Sequence, residues 1–462
     1  MTYDVIVIGA GAAGEAAYAE AARLGARVAV VERDLVGGEC SFWACMPSKT
    51  LLDSAGRRSI GGTYPWSRAS DRRDWMISRE GIDYPSDSGH VKSLEEAGAD
   101  LVRGDARIVG PGKVEVRRNG ENPRTLEGRN LVVSTGSVPV IPPVEGLKEA
   151  GYWTSREATS TRELPSSIVI MGGGPVGVEM AQVFVRFDVE TTLVEGNDRI
   201  LARDHPLNSQ HIADQLKEEG LDVRTGVHAA AVRRGGKGRI VELSDGSSVE
   251  GAEVLVSVGR RPADLRALGT EEAGVELDER GAATHDDQMR VADGVYIAGD
   301  VAGGLQFTHV ADYEGQIAAR AAVGQRTRAD LSSVPRCTYT YPPAGAVGWT
   351  VPEAQERGID AVEFSQDFST TARGYTIEPR WPSDEAIKEG SPGHVTVVVD
   401  RERMLLVGAF AACTGAPEFI HEAVLGIKLQ TPLEVLADTI RAFPAAARVF
   451  GNILNDAWKQ LS

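Results

Sequence analysis

Apolar runs and a glycine-rich turn follow one another at the start of the chain. The run Val5–Ile8 ends at Gly9, and an alanine-rich stretch typical of a helix continues from Ala12 to about Leu24. A further apolar run, Arg27–Glu32, ends in a carboxylate. This pattern predicts strand, turn, helix and strand, which is the order of a parallel βαβ unit.

The same order recurs in the middle of the chain. Ser167–Met171 predicts a buried strand, Gly172 begins a turn, and a helical stretch leads to a second strand pattern at Thr191–Glu195. In both copies a glutamate ends the second strand, 23 residues after the first glycine of the turn. Chance repetition of all these features in one order is improbable, so we predict two Rossmann-like units.

The two turns have the glycine spacing of a dinucleotide-binding fingerprint. The first glycine makes the tight turn, the second lets a pyrophosphate approach the backbone, and the third lets helix and strand pack closely. The phosphates then face the N–H groups at the helix N-terminus. These glycines are Gly9, Gly11 and Gly14 in the first turn, and Gly172, Gly174 and Gly177 in the second.

A carboxylate at the end of each unit predicts the ribose contact. Glu32 and Glu195 can accept hydrogen bonds from ribose hydroxyls, and Glu195 would repel a ribose 2′-phosphate. Arg199 lies close to Glu195 in the sequence and opposes that repulsion. We therefore expect two dinucleotides, or one nucleotide bound twice, with NADH preferred over NADPH at the second unit.

Composition and charge argue against several other classes of function. The 462 residues carry a net charge of −17 and the pI is near 5.1, which argues against a nucleic-acid partner. No apolar run reaches the roughly 18 residues of a membrane span, and four cysteines are too few to staple a secreted chain of this length. The opening residues lack a signal-peptide pattern. We expect a cytoplasmic protein with no nucleic-acid or membrane partner.

The segment that follows the first unit contains two cysteines. Cys40 and Cys45 would point about 140° apart on an ideal helix, so a disulfide between them requires a distorted or beginning helix. Gly37, Gly38 and Pro47 favour such a distortion, and a helix N-terminus lowers the pKa of a thiol. Two buried core cysteines are the other interpretation, but the position directly after a dinucleotide fingerprint favours redox chemistry.

Further motifs lie in order along the chain after the cysteines. They are Val133-Ser-Thr135-Gly136-Ser, Gly259-Arg-Arg-Pro, Val295-Tyr-Ile-Ala-Gly299-Asp300 and Thr308-His309-Val-Ala. With the Cys-x4-Cys segment, they make the chain resemble from end to end the group I flavoprotein pyridine-nucleotide disulfide oxidoreductases. This is the family of dihydrolipoamide dehydrogenase, glutathione reductase and mercuric reductase.

The resemblance implies an α/β fold with two Rossmann-like dinucleotide-binding domains and a C-terminal α+β dimer-interface domain. It places an FAD-binding domain at residues 1–147, an NAD(P)-binding domain at 148–275, a return to the FAD-binding domain at 276–332 and the interface domain at 333–462. It implies FAD at the first repeat, NAD(P)H at the second, and a homodimer that acts on a small thiol or disulfide substrate.

The resemblance also implies roles for individual residues. Cys45 resembles the thiolate that stacks on the flavin, and Cys40 the interchange thiol that attacks the substrate. Lys49 resembles the lysine beside flavin N5 and Glu179 its ion-pair partner, because a nearby ammonium stabilises an anionic reduced flavin. Asp300 resembles the residue that holds the ribityl chain.

Cofactor-binding positions follow from the same comparison. For FAD they are Gly9, Gly11, Gly14, Glu32, Gly38, Lys49, Ala106, Thr135, Gly136 and Asp300. For the nicotinamide nucleotide they are Gly172, Gly174, Gly177, Glu195 and Gly259.

The acid–base pair of the family is missing from its expected place. Disulfide reductases of the family end with a His-Pro and a glutamate five residues after the histidine, and here Phe443 and Arg448 occupy these two places. Phenylalanine cannot transfer a proton, so the usual thiol–disulfide mechanism lacks its base.

Three explanations are open. In the first, which we favour, the leaving group needs no proton from the protein, as with an activated disulfide, a persulfide or a soft metal ion. In the second, the protein resembles 2-ketopropyl-coenzyme M oxidoreductase/carboxylase, and a dry site directs a carbanion-like intermediate of carbon–sulfur cleavage to an electrophile other than a proton. In the third, His309, His421, Tyr339 or Tyr341 is the base. A redox-sensing flavoprotein with little turnover is a further alternative.

Two weaker patterns concern ligands. Arginines crowd the segment after the redox motif and predict an anion-binding surface or, more commonly, a solvated helix face. They are Arg57, Arg58, Arg68, Arg72, Arg73 and Arg79. No histidine and cysteine cluster has zinc-site spacing, and residues 452–462 contain no cysteine pair, so we expect neither a metal site nor the thiol-delivery site of mercuric reductases.

Overall fold

The computed structural model describes residues 2–78, 84–236, 238–377 and 390–462. The chain divides into two compact units. Unit 1 consists of Met1–Pro47, Asp71–Val140 and Gly259–Asp330, and unit 2 of Ser48–Ser70, Ile141–Val258 and Leu331–Ser462.

Strands and helices occur along all of the described ranges. The strands are β1 (Thr2–Ile8), β2 (Val28–Glu32), β3 (Asp100–Arg103), β4 (Asp105–Gly110), β5 (Lys113–Arg117), β6 (Arg124–Val133), β7 (Ser137–Pro139), β8 (Ser167–Met171), β9 (Glu190–Glu195), β10 (Asp222–Thr225), β11 (Ala229–Arg234), β12 (Arg239–Leu243), β13 (Ser248–Gly251), β14 (Glu253–Val256), β15 (Arg260–Pro262), β16 (Arg290–Ala292), β17 (Val295–Ile297), β18 (Arg336–Thr338), β19 (Ala344–Gly348), β20 (Ala361–Asp367), β21 (His394–Asp400) and β22 (Leu405–Ala412). The helices are α1 (Ala12–Arg23), α2 (Gly38–Phe42), α3 (Cys45–Gly61), α4 (Trp66–Ser78), α5 (Ser88–Glu96), α6 (Leu147–Ala150), α7 (Ser155–Ser160), α8 (Pro175–Arg186), α9 (Pro206–Glu218), α10 (Leu265–Leu268), α11 (Thr308–Ala322), α12 (Val351–Glu356), α13 (Ala372–Tyr375), α14 (Ala416–Lys428), α15 (Leu433–Asp438) and α16 (Ala446–Leu461).

The main sheet of unit 1 has the strand order β16-β17-β6-β1-β2-β3, and β5 pairs with β6 and carries β4. Its central strands are parallel, with Val5 opposite Val28 and Ile8 opposite Val133. The residues of β2 are all buried because its apolar run is covered on both faces, as is usual in parallel sheets. The first predicted strand–turn–helix–strand unit is thus present as β1, α1 and β2.

Helix α1 packs along α11 in unit 1, and a small residue lets the two backbones approach. A Cβ on Gly315 would lie 2.2 Å from the Ala13 carbonyl oxygen, so only glycine fits at this crossing. The buried Glu20 carboxylate accepts hydrogen bonds from Arg23 Nε and Arg320 Nε, both at 2.6 Å. These contacts fix α11 against α1.

Unit 2 contains the second predicted unit as β8, α8 and β9. These strands belong to a parallel sheet of order β10-β9-β8-β14, in which Ile168 lies opposite Thr191 and Val254 opposite Val169. Pro175 occupies the first turn of α8, where its missing N–H costs no hydrogen bond. An antiparallel sheet of order β11-β12-β13 follows in the chain.

The C-terminal part of unit 2 is built on an antiparallel sheet. Its strand order is β18-β19-β22-β21-β20, and β21 and β22 are buried almost throughout. Helices α14 and α16 cover it with apolar faces that include Ile420, Phe450 and Leu454. An antiparallel sheet with helices packed against it is an α+β arrangement, so the predicted α/β fold with two Rossmann-like units and an α+β part is confirmed.

Three imidazoles cluster in unit 2 at the start of β21, and those of His205 and His394 are buried. The ring of His394 stacks on His211 with centroids 5.2 Å apart and lies 5.9 Å from the ring of His205. Its Nε2 lies 2.7 Å from Asn208 Oδ1 and its Nδ1 3.0 Å from Thr396 Oγ1. Burial, and the positive charge that the two neighbouring imidazoles would carry, lower the pKa of His394 to about 3.

We expect acid to destabilise unit 2 through His394. The unfolded chain takes up this proton near the ordinary pKa of about 6.5, whereas folded His394 does so only near a pKa of about 3. The unfolded state therefore binds more protons between these two pKa values. As the pH is lowered through this window, the free energy of unfolding decreases by up to about 1.4 kcal/mol per pH unit. The thermal unfolding midpoint of His394→Gln should fall less between about pH 7 and pH 4.5 than that of the wild type.

His228→Gln is the matched control, because His228 is an exposed histidine of the same unit. This variant should keep the acid sensitivity of the wild type. Equal acid sensitivity of His394→Gln and the wild type would contradict the prediction.

Candidate active site

The first glycine turn is closed by backbone contacts that leave no room for side chains. Gly9 has a φ of +96°, and a Cβ there would lie 2.5 Å from the Ser134 carbonyl oxygen. A Cβ on Gly14 would lie 1.9 Å from the Gly9 carbonyl oxygen, so helix α1 packs directly on the end of β1. At Gly11 the nearest atom to such a Cβ is 4.0 Å away, so the surface beside this glycine is open.

The second turn repeats this geometry in unit 2. A Cβ on Gly172 would lie 2.6 Å from the Ser257 carbonyl oxygen, and one on Gly177 would lie 1.9 Å from the Gly172 carbonyl oxygen. Beside Gly174 no atom of the described residues lies within 4 Å of such a Cβ. Helices α1 and α8 begin directly after the open glycine of their turn. Both turns therefore fit a pyrophosphate, with space at the open glycine and N–H donors at the helix N-terminus.

A serine holds each turn, and sequence reasoning missed both serines. Ser134 Oγ donates to the carbonyl oxygens of Gly9 at 2.8 Å and of the residue before it at 3.1 Å. Ser257 Oγ makes the same two bonds to Gly172 at 3.1 Å and to the residue before it at 3.0 Å. Each serine directly follows a buried strand and precedes a glycine of positive φ by two residues, and this shared pattern was the available signal.

The two predicted ribose carboxylates have matching surroundings. Glu32 accepts from the N–H of Ala10 at 2.7 Å and from the N–H two residues after itself at 2.7 Å. Glu195 accepts from the N–H of Gly173 at 2.6 Å and likewise from the N–H two residues later at 2.7 Å. Arg199 donates to the backbone carbonyl groups of residues 201, 202 and 204, so its guanidinium is engaged within its own loop.

Most of the other residues predicted to contact FAD or the nucleotide lie at strand ends of unit 1. Gly38 has a φ of +62°, and a Cβ there would lie 2.7 Å from the Gly11 Cα, so α2 begins against the first turn. The others are Thr135 and Gly136 directly after β6, Gly259 directly before β15, and Ala106 within β4.

Asp300 begins a 3-10 turn shortly after β17 and is part of a hydrogen-bonded chain in unit 1. Its Oδ2 accepts from Ser137 Oγ at 2.5 Å. Arg260 Nε donates to the same Ser137 hydroxyl at 2.7 Å, and its Nη2 donates to the Ser137 carbonyl oxygen at 2.8 Å. The short antiparallel pair β7–β15 thereby orients the Asp300 carboxylate.

The helix is interrupted between Cys40 and Cys45. Helix α2 ends at Phe42, Trp43 has a φ of −137°, and α3 begins at Cys45, which is the distortion that the spacing predicts. Both half-buried cysteines reach the hydroxyl of Thr308, with Oγ1 3.2 Å from Cys40 Sγ and 3.3 Å from Cys45 Sγ. The structure therefore brings the two sulphurs together, and sequence reasoning did not identify Thr308 as their neighbour.

Lys49 and Glu179 form the predicted ion pair in unit 2. Lys49 Nζ lies 2.8 Å from Glu179 Oε2, and the Glu179 side chain is only 4% exposed. The other carboxylate oxygen accepts from the N–H of Tyr339 at 2.9 Å, and the ammonium lies 5.0 Å from the centre of the Tyr339 ring. A buried carboxylate with two hydrogen-bond donors is unlike a surface salt bridge, and removing either partner would leave a poorly solvated charge.

Phe443 and Arg448 lie together near the C-terminus. Phe443 is 69% exposed, and the Arg448 guanidinium carbon lies 5.6 Å from the centre of its ring. Other large apolar side chains of the same region are also exposed, namely Leu425, Leu429, Val435 and Ile440. Exposed apolar groups at this density are typical of a surface that another chain covers.

The alternative bases that the sequence suggested have other contacts. The His309 ring stacks on Phe307 with centroids 5.3 Å apart. His421 is exposed on α14, with Nδ1 3.3 Å from the Glu418 carbonyl oxygen. Tyr341 exchanges backbone hydrogen bonds with the side chain of a buried glutamine in α8, at 2.8 and 2.9 Å.

The arginines after the redox motif are largely engaged with neighbours. Arg57 pairs with Asp53, Arg58 with Asp188 and Arg73 with Asp74, while Arg68 lies over Tyr64 and Arg72 over Trp75. Arg79 lies outside the described residues. These contacts favour a structural role over an anion-binding surface.

The remaining cysteines are unsuited to thiolate chemistry. Burial raises the pKa of Cys337 to about 11 and raises the pKa of Cys413 further. Within the described ranges, no three His, Cys, Asp or Glu side chains are grouped so that they could hold a metal ion. Among the helices in these ranges, none has the length and apolar character needed to cross a membrane.

Known families match nearly the whole chain. Residues 3–315 match the family described as pyridine nucleotide-disulphide oxidoreductase, and residues 334–453 match the dimerisation domain of that family. The dimerisation domain coincides with the region of exposed apolar side chains and supports a homodimer.

Two of the similar curated proteins are a dihydrolipoyl dehydrogenase and a mercuric reductase. The chain is 34% identical to dihydrolipoyl dehydrogenase of Thermus scotoductus, over 96% of this chain and 95% of the relative. It is 30% identical to mercuric reductase of Staphylococcus aureus, over 96% of this chain and 80% of the relative.

Solved structures share the fold of this chain. The Cu(II) complex of the HOCl-induced flavoprotein disulfide reductase RclA from Escherichia coli superposes with a TM-score of 0.87 at 25% identity, covering 98% of this chain and 99% of that one. LpdA from Mycobacterium tuberculosis shares the fold with a TM-score of 0.85 at 24% identity, covering 99% of this chain and all of that one. The chain therefore belongs to the pyridine nucleotide-disulphide oxidoreductases, and it is an enzyme of that family that uses FAD and NAD(P)H.

Proposed function

We propose that this enzyme uses Cys40 and Cys45 to reduce a disulfide, a persulfide or another small thiol-reactive substrate without the usual histidine–glutamate base. The convergence of both sulphurs on the Thr308 hydroxyl carries the proposal, because two cysteines that contact the same hydroxyl are close neighbours, as a redox-active disulfide requires. The relatives support the substrate class, since their names describe a mercuric reductase, dihydrolipoyl dehydrogenases and a disulfide reductase.

The two dinucleotide turns have separate roles in this proposal. The first turn, with Glu32 and Asp300, would hold FAD, and the second, with Glu195, would hold NADH in preference to NADPH. When bound, these cofactors supply the two electrons that open the Cys40–Cys45 disulfide. We propose the matching domain division at residues 1–147, 148–275, 276–332 and 333–462.

In the proposed reaction, Cys40 attacks the substrate in the first step and Cys45 re-forms the enzyme disulfide in the second. The Cys40 thiolate attacks a sulphur of the substrate disulfide and releases one thiolate, which leaves a mixed disulfide on Cys40. The Cys45 thiol loses its proton to solvent water, and its thiolate attacks Cys40 Sγ, releases the second substrate thiolate and re-forms the Cys40–Cys45 disulfide. The two electrons gained from NAD(P)H thus leave on the substrate as two thiolates.

Lys49 would stabilise negative charge on the reduced flavin, with Glu179 as its positioning residue. The buried carboxylate holds the Lys49 ammonium at 2.8 Å and is itself held by the Tyr339 N–H. A fixed cation of this kind stabilises a developing anion without reorganisation.

The leaving thiolates meet no histidine at the place where the family has one. Phe443 has no proton to give, and its neighbour Arg448 presents a guanidinium in place of a carboxylate. Substrates whose leaving group is already stable as an anion, or a soft metal ion that needs no proton, therefore suit this enzyme best.

We expect the two cysteines to behave differently on substitution. Cys45→Ser should abolish the long-wavelength thiolate–flavin charge-transfer absorbance that two-electron reduction by NADH produces, because Cys45 supplies the stacked thiolate. Cys40→Ser should show that absorbance already in the resting enzyme, because Cys45 then has no disulfide partner. Absorbance spectra before and after anaerobic NADH addition test this.

Cys413→Ser is the control for the cysteine variants, since this thiol is buried elsewhere and should not change either spectrum. If Cys40→Ser abolished the absorbance and Cys45→Ser showed it in the resting enzyme, Cys40 would be the thiolate at the flavin and Cys45 the interchange thiol. Absence of the absorbance in all variants and in the wild type would refute the proposed redox centre.

We expect NADH to reduce the enzyme with a higher kcat/KM than NADPH, by roughly tenfold or more, because the Glu195 carboxylate repels a 2′-phosphate. The contacts of Arg199 with its own loop remove the nearest compensating cation. Glu195→Gln should reduce the ratio of kcat/KM for NADH to kcat/KM for NADPH. Glu190→Gln, which changes an exposed residue of the same strand, should leave this ratio unaltered. Equal kcat/KM for the two nucleotides in the wild type would contradict this preference.

We expect the wild type to reduce lipoamide slowly although NADH reduces its flavin quickly, because the missing base contributes roughly 10²–10⁴ in rate. Phe443→His alone should recover little, since Arg448 cannot orient an imidazole. Phe443→His with Arg448→Glu should raise lipoamide reduction by more than the product of the single effects, because the two side chains are in contact. Steady-state rates of the four proteins measure this coupling.

Fast lipoamide reduction by the wild type would contradict the absence of a base. In that case variants of His309 and His421 would identify the base that acts instead.

A further inference from the structure

We propose that the Thr308 hydroxyl is a catalytic group that relays one proton between the sulphurs of Cys40 and Cys45. The inference rests on the proposed function, because it assumes that these two cysteines form the redox centre. It goes beyond that function by naming the group that moves a proton inside a site without a histidine base.

The distances suit a hydroxyl that bridges two sulphurs. Thr308 Oγ1 lies 3.2 Å from Cys40 Sγ and 3.3 Å from Cys45 Sγ. A threonine hydroxyl has one O–H donor and two acceptor lone pairs, so it can donate to one sulphur while it accepts from the other. When one cysteine is a thiol and the other a thiolate, both hydrogen bonds are satisfied at once.

The position of Thr308 in the fold favours a thiolate beside it. Thr308 is the first residue of α11, a 15-residue helix, so the N–H groups of the helix N-terminus lie close to the two sulphurs. A helix N-terminus stabilises negative charge and lowers the pKa of a nearby thiol. Because the Glu20–Arg320 bond and the Gly315 contact fix α11 against α1, the hydroxyl is held by a rigid element.

The relay conserves atoms and charge. Opening the disulfide with two electrons and one proton leaves one thiol and one thiolate. The thiol S–H donates to Thr308 Oγ, and the Thr308 O–H donates to the thiolate. When both protons move along these bonds, the thiol becomes the thiolate and the reverse, and Thr308 stays neutral throughout.

This exchange serves the first step of disulfide reduction. Cys40 must be a thiolate when it attacks the substrate, and the relay provides that thiolate by moving the proton of the Cys40 thiol to the Cys45 thiolate. Once Cys40 is held in the mixed disulfide it can accept no proton, so the Cys45 thiol then loses its proton to solvent water before it closes the disulfide. The usual family members have a histidine near the interchange thiol instead. The Phe443 position can therefore lose its base while the dithiol remains reactive.

Threonine and valine have nearly the same shape, so Thr308→Val removes the hydroxyl with little change in packing, and Thr308→Ser restores it. We would combine each change with Cys40→Ser or Cys45→Ser in the FAD-bound enzyme, so that one thiol of the pair remains. With Cys45 remaining, the pH dependence of the charge-transfer absorbance gives its thiol pKa. With Cys40 remaining, the pH dependence of alkylation by iodoacetamide, followed at the Cys40 peptide by mass spectrometry, gives its thiol pKa.

Thr308→Val should raise the titration midpoint of both cysteines by about 1 to 2 pH units, because each thiolate loses a charged hydrogen bond. Thr308→Ser should return both midpoints close to those of the Thr308 proteins. Thr308→Ala also removes the hydroxyl but leaves a smaller side chain. Its titration midpoints should equal those of Thr308→Val, because both variants lack the hydroxyl.

A midpoint change at one cysteine only, or at neither, would overturn the relay while leaving the proposed function standing. Absence of charge-transfer absorbance at every pH in Cys40→Ser with Thr308 intact would show that Cys45 does not lie at the flavin. That result would overturn the proposed function and the relay together.

Discussion

The close approach of backbone to backbone at the two glycine turns is the constraint on which both nucleotide-binding units depend. At Gly14 and at Gly177 a Cβ would lie 1.9 Å from a carbonyl oxygen, so any side chain would push the helix away from its strand. The hydroxyls of Ser134 and Ser257 hold the same turns from the other side. The helix N-termini, the open glycines and the carboxylates therefore keep one geometry in two separate stretches of the chain.

The redox segment begins where the first of these turns ends. Gly38 packs directly on Gly11, so the short helix α2 starts against the turn, and its early end at Phe42 lets a new helix begin at Cys45. An unbroken helix would direct the two sulphurs apart. The interruption instead brings both to the Thr308 hydroxyl, and the Glu20–Arg320 and Gly315 contacts that fix α11 set the position of that hydroxyl.

The absence of a histidine near Pro444 changes which groups can carry protons and charge. Phe443 and Arg448 supply a hydrophobic ring and a guanidinium where the family has an imidazole and a carboxylate. The predicted Lys49–Glu179 pair is present, with Lys49 Nζ 2.8 Å from a Glu179 carboxylate that is 4% exposed. In the proposed function the electron-transfer part of the family chemistry is therefore kept, and its proton-transfer part is the part that differs.

The sequence by itself determined both Rossmann-like units, their glycines and the paired carboxylates, because turn geometry and apolar periodicity are local properties. It also predicted a distorted helix at Cys40 and Cys45, and it showed that Phe443 occupies the place of the family's histidine base. Only the tertiary structure decided that Thr308, 263 residues after Cys45, meets both sulphurs, and that Ser134 and Ser257 hold the turns. The sequence shows the motifs that contain these residues, but it does not show their partners, because the contacts depend on how distant elements pack in the sheet and the helix pair.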